Sequence, residues 1–191
     1  MPENNRKPPA GTGGNSENEQ LAGHLDADST ADLAAVAQSA WEALVGLLLT
    51  SPPVESAREL LAGIPPGAPD PSIEWWINAA RINADALTIC NPLTAVSGSV
   101  RAGVEPPPAF RGHAVSEGWR LVSKVTSVPF TCAGDFVDIV RADRARRASE
   151  SAAERIAQSS WRGEVAQLAE LWQREATAVF AMLTEAVSIN G

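Results

Sequence analysis

The chain has 191 residues, 45% of them hydrophobic and 20% charged, with a formal net charge of -8. That length suits one domain with a core of its own, and the composition argues against wholesale disorder. A negative balance of this size makes nucleic acid a poor default partner, because phosphate backbones are held by concentrated positive charge.

Residues 1–28 hold Pro8-Pro9, Gly11 and Gly13-Gly14 among many Asn and Glu, with almost nothing to bury. Ordering such a segment would cost entropy that no packing repays, so it reads as a disordered arm. Met1 to Lys7 lead into Pro, Gly and Asn rather than an apolar run, so no cleaved export signal is expected. The longest uninterrupted apolar run, Ala43 to Leu49, is too short to span a bilayer, and no transmembrane span is expected.

Helical signals begin at Ser29, an N-cap residue type followed by Asp32 where a carboxylate favours the helix dipole. Leu33, Val36, Ala37, Ala40, Trp41, Leu44, Val45 and Leu48 then recur at three- and four-residue steps up to Pro52-Pro53. A short helix fits Val54 to Ala62, with Gly63 placed for a left-handed cap. Asp70-Pro71 is a strong start signal, a capping carboxylate followed by proline at the first helical position. The helix it opens should run to about Cys90 on a stripe of Ile73, Trp76, Ile77, Ala80, Ala84 and Leu87, with Trp75 and Ile82 off that stripe. Asn91-Pro92 repeats the signal for a helix to about Arg101.

Residues 103–113 contain Pro106-Pro107-Pro108 and read as a linker between N-terminal helices at 29–102 and a C-terminal helical region at 114–191. Ala114 to Val128 favours helix over strand despite its β-branched residues. From Gly134 to Ser188 there is no proline, and Trp161, Val165, Leu168, Trp172, Ala176, Val179, Leu183 and Val187 form an amphipathic stripe. A kink near Ser159-Ser160 and Gly163 would interrupt what is otherwise one long helix.

Chemistry is hard to assemble from what remains. The histidines, His24 and His113, offer no His-x-x-x-His spacing, and Cys90 and Cys132 form no Cys-x-x-Cys, so a local zinc site is not expected. A thiol nucleophile would have to pair Cys90 or Cys132 with His113; buried reduced thiols are the simpler reading, with a disulfide between them left open. Val96-Ser97-Gly98-Ser99 lacks the flanking glycine that a nucleophile elbow needs, and Gly11-Thr12-Gly13-Gly14 lacks the strand, helix and lysine of a phosphate loop. Asp135, Asp138 and Asp143 suit the first turns of a helix better than a catalytic dyad. No catalytic residue and no cofactor is therefore expected.

Arg141, Arg144, Arg146 and Arg147 are the one concentrated positive patch. Four guanidinium groups within two turns can hold an anion, although local pairing with Asp138, Asp143 and Glu150 is the preferred reading. Six tryptophans without a tyrosine are unusual, and Trp75 and Trp76 cannot share one side of a helix, so one of them needs a second neighbour.

Asp135-Phe136-Val137-Asp138-Ile139-Val140, the Arg- and Ala-rich run to Ile156, and the Trp161 to Val187 stripe resemble the phasins, helical proteins that coat bacterial polyhydroxyalkanoate storage granules. The likeness covers about residues 114–188 and implies a protein without catalytic residues or cofactors. It implies a granule surface as partner and a cytoplasmic or granule-associated location. It carries over no individual site residue.

The expectation is thus an all-α helical bundle with a long C-terminal amphipathic helix and a disordered N-terminal arm. Its contact residues would be Trp161, Val165, Leu168, Trp172, Val179 and Leu183, with Trp75 and Trp76 as a second face. The partner is an apolar granule surface, with self-association expected. A helical adaptor or accessory subunit using either face against a protein partner is the alternative.

Overall fold

The computed structural model describes residues 27–159 and 165–187, and it is all-α: among them are seven α-helices, two short 3-10 turns and no strand. The helices are α1 (Ala27–Leu48), α2 (Val54–Gly63), α3 (Pro71–Asp85), α4 (Pro92–Arg101), α5 (Ala114–Lys124), α6 (Ala133–Ser159) and α7 (Val165–Val187). The expected arm lies outside the described residues except for its last two, Ala27 and Asp28, which open α1. Ser29 is consequently inside the helix, not its N-cap.

α1 is the central rod. Trp41, Leu44, Val45 and Leu48 on its inner side are almost fully buried, and it packs against α3, α5 and α6. α3 pairs with α2 and α4, and α4 leans on α5, so helices from both sides of the Pro-rich segment share one core. The window Ala31–Leu48 is long and apolar enough to cross a membrane by length and composition, with a mean hydropathy of 1.2. Half of that window is buried inside the fold, as befits a core helix. Polar residues such as Asp32, Gln38, Ser39 and Glu42 interrupt it, so no unbroken apolar run marks it.

Two start signals act as their chemistry dictates. The Asp70 carboxylate accepts from Ser72 N at 2.7 Å, with Pro71 in the first turn. Asn91 accepts from Leu93 N and Thr94 N, while Asn91 N donates to Thr94 Oγ1 at 2.9 Å, a reciprocal capping box.

Helix ends depart from the sequence reading. α3 stops at Asp85, not near Cys90: Leu87 takes a left-handed φ of 55°, and Leu87 is exposed instead of continuing the stripe. The chain then turns to bury Cys90, whose carbonyl accepts from Ser51 N at 2.9 Å. Gly63 is the last residue of α2 and not a left-handed cap, because Ile64 follows in extended geometry and is buried. α5 ends at Lys124, and 125–128 form turns.

Gly46 lets α5 cross α1 at close range. A Cβ there would stand 2.7 Å from the Leu121 carbonyl oxygen and 2.9 Å from Val125 Cγ2. Backbone cannot yield as a side chain can, so Gly46→Ala is expected to destabilise the bundle by about 1–2 kcal/mol, even after its gain in helix propensity. A guanidinium unfolding midpoint that stays put or rises would contradict this crossing.

Candidate interaction surface

α6 begins within the bundle, where Val137 and Val140 are buried. It then carries α7, whose principal packing partner it is. The long C-terminal stretch is therefore two helices and not one rod. Arg155, near the end of α6, donates to Glu175 Oε2 at 2.6 Å, which shows that α7 folds back along α6 as a hairpin. Arg174 lies 3.4 Å from the other Glu175 oxygen. The Arg155 guanidinium beside Glu175 holds its carboxyl below the usual range. The shielding of Glu175 is local, supplied by these guanidinium groups and the facing helix at the edge of an open cleft.

Seen down its axis, α7 has two apolar faces where the sequence reading had one. Leu168, Leu171, Val179 and Met182, together with Glu175, are half-buried or buried toward α6. Val165, Ala169, Trp172, Ala176, Phe180 and Leu183 recur at four-, three- and four-residue steps, lie roughly a quarter-turn away and are exposed, with Trp172 and Ala176 at the border toward α6. Val165 is 84% exposed, Phe180 71%, Trp172 57% and Leu183 45%. Between the helices lies a cleft of about 440 Å³ lined by Ala152, Ala153, Ile156, Trp172, Ala176 and Val179.

The expected contact residues therefore divide. Val165, Trp172 and Leu183 stand on the open face, Leu168 and Val179 turn to α6, and Trp161 lies outside the described residues. Phe180 belongs to the open face and was missed, because the single stripe passed through Val179; following the steps 165, 169, 172, 176, 180 and 183 would have found it.

The second proposed face does not exist as a surface. Trp75 is 6% exposed and Trp76 1%. Their rings meet edge to face at 4.7 Å, and the 3-10 turn Pro108–Phe110 lays Phe110 against both, at 6.3 and 6.2 Å. The expected second neighbour of the Trp pair is thus supplied by the Pro-rich segment from within the chain. Gly118 completes the closure, since a Cβ there would come within 2.8 Å of Trp76.

The arginine patch is largely spent on its own helix. Arg146 bridges Asp143 at 2.8 Å and Glu150 at 2.6 Å, Arg147 holds Asp143 at 2.9 Å, and Arg141 lies 3.8 Å from Asp138. Arg147 also donates to the Gly67 carbonyl at 3.3 Å, tying α6 to the loop before α3. Arg144 alone has no ion pair among the described residues. Cys90 and Cys132 are not bonded to each other. Burial pushes the Cys90 thiol up to about 12, so it is no nucleophile near neutral pH. The His113 ring faces the Arg111 carbonyl oxygen at 3.3 Å.

The open face of α7 is the feature that an interaction would use. Comparison with protein-family models, curated proteins and solved structures finds no match.

Proposed function

We propose that this is a non-catalytic helical coat protein that adsorbs through α7 to an uncharged apolar surface of the storage-granule kind. The observation that carries the reading is the row of Val165, Trp172, Phe180 and Leu183, four large apolar side chains on one face and all substantially exposed. Monomeric proteins seldom leave such a contiguous row in water unless something covers it. At ~25 cal/mol per Å², covering it is worth several kcal/mol after the cost of immobilisation.

Charge narrows the class of surface. α7 carries Arg174 as its only Lys or Arg, against Glu170, Glu175 and Glu185. Helices that lie on anionic membranes line their polar face with Lys and Arg, so phospholipid headgroups are the poorer match. A neutral polyester particle, as the phasin resemblance implies, presents apolar area without that charge requirement.

The purified full-length protein is expected to bind polyhydroxybutyrate particles saturably, with tryptophan emission moving to the blue as Trp172 leaves water. Anionic phospholipid vesicles should bind it at least tenfold more weakly, about 1.4 kcal/mol. A wild-type protein that stays in the supernatant with the particles defeats the proposal.

A further inference from the structure

The open face of α7 has a symmetry that points to what covers it when no granule is present. Its residues are arranged about Ala176 so that reading outward in either direction meets a large aromatic, Trp172 one way and Phe180 the other. One step further lie Ala169 and Leu183, a small residue against a large one. We propose that two copies of this chain pair antiparallel along α7 about a two-fold axis at Ala176, and that this dimer is the soluble form from which the coat is recruited. The inference rests on the reading of α7 as the contact helix.

Each step of the fit is physical. A two-fold interface must be self-complementary, so a residue a given distance before the axis meets one the same distance after it. Trp172 then meets Phe180 of the second copy twice over, and Ala169 accommodates its Leu183. Ala176 at the axis is small enough for the helices to approach at the short end of the usual 8–10 Å separation. The cleft beside it, lined by Ala153, Trp172 and Ala176, leaves room for an incoming aromatic ring.

The area fits a weak pair. Val165, Trp172, Phe180 and Leu183 together offer at most on the order of 500 Å² per copy, or roughly 1,000 Å² for the pair, the size of an interface that dissociates on dilution. Charge does not oppose it at close range. Although each chain carries a net -8, the residues bordering the open face away from α6, namely Ala166, Gln173, Thr177 and Thr184, are exposed and uncharged. On the other flank the Glu175 carboxylate beside the axis is paired with Arg155 and Arg174, so two acidic molecules can meet along this line without unpaired like charges in contact. The two hairpins would then form a four-helix arrangement, a geometry in which such stripes are ordinarily sealed.

Disulfide trapping in the full-length chain tests the register. Cys132→Ser removes the partly exposed native thiol, and Ala176→Cys or Ala169→Cys is added to it. In an antiparallel pair centred on Ala176, Ala176→Cys lies opposite its own copy and should oxidise to a covalent dimer at least about tenfold faster than Ala169→Cys, whose mate is Leu183. Sedimentation of wild type should show a species of twice 20.1 kDa that dissociates on dilution. A species of 20.1 kDa at every concentration, or equal cross-linking at both positions as a parallel pair would give, overturns the pairing. Failure here is distinguishable from failure of the coat reading: a monomer that adsorbs to particles sinks only the dimer, and a dimer that ignores particles sinks only the coat.

Discussion

Exchanging Trp172 and Phe180 together for Asp is expected to weaken particle adsorption by at least about a hundredfold, roughly 2.8 kcal/mol, while helix content stays unchanged. Both side chains are more exposed than covered in the folded chain, at 57% and 71%, and only the Trp172 ring also lines the cleft toward α6, so their loss removes less internal packing than loss of a core residue. Two carboxylates in their place would have to be desolvated on an apolar surface, which adds to the lost contact area. The matched control is Leu168→Asp with Val179→Asp. Those residues face α6, and burying charge there should open the hairpin, lowering thermal stability and helix content together. Adsorption isotherms read beside circular dichroism separate the two. If the outer pair of Asp variants binds particles like wild type, α7 is not the contact, whatever else the protein adsorbs through.

Trp76→Ala should have the largest effect on stability, about 3–5 kcal/mol, a large share of what holds a small domain folded. Trp76 is fully enclosed by Trp75, Phe110 and the face opposite Gly118, and α3 and α5 both lose a packing surface when it goes. In a chain of this length the melting temperature should fall on the order of 10 °C. Trp76→Phe should cost less than the truncation, for a second reason besides volume: the indole N–H of Trp76, like those of Trp41 and Trp75, meets no acceptor among the described residues. Replacing it removes a desolvated donor along with the ring area. Trp172→Ala should cost far less, about 1 kcal/mol, for the part of its ring that lies against α6 in the cleft. Equal losses at positions 76 and 172 in a thermal scan would contradict the assignment of one tryptophan to the core and the other to the surface.

The local signals were legible where they act over a few residues. Asp70-Pro71 and Asn91-Pro92 start helices because a short polar side chain accepts from the open N–H groups and a proline at the first position has none to leave open, regardless of what packs nearby. Arg146 and Arg147 find Asp143 because positions three and four apart on a helix are neighbours by geometry alone. Helix ends were less readable. Leu87 and Ile64 leave their helices because burying Cys90 and Ile64 in a core built by distant segments outweighs continuing a local pattern.

The same division governs the interaction surface. Composition and periodicity by themselves determined that the chain is all-α and that its C-terminal region is amphipathic, since both follow from the spacing of apolar residues along one helix. Which of those apolar residues meet water was decided only in three dimensions. Trp75 and Trp76 look like a spare face until Phe110, more than thirty residues away, covers them. The stripe from Val165 to Leu183 looks like a single seam until α7 folds back along α6 and uses half of it. A helix's apolar arc is a property of its own sequence, but exposure depends on what lies opposite, and the opposite residues come from elsewhere in the chain.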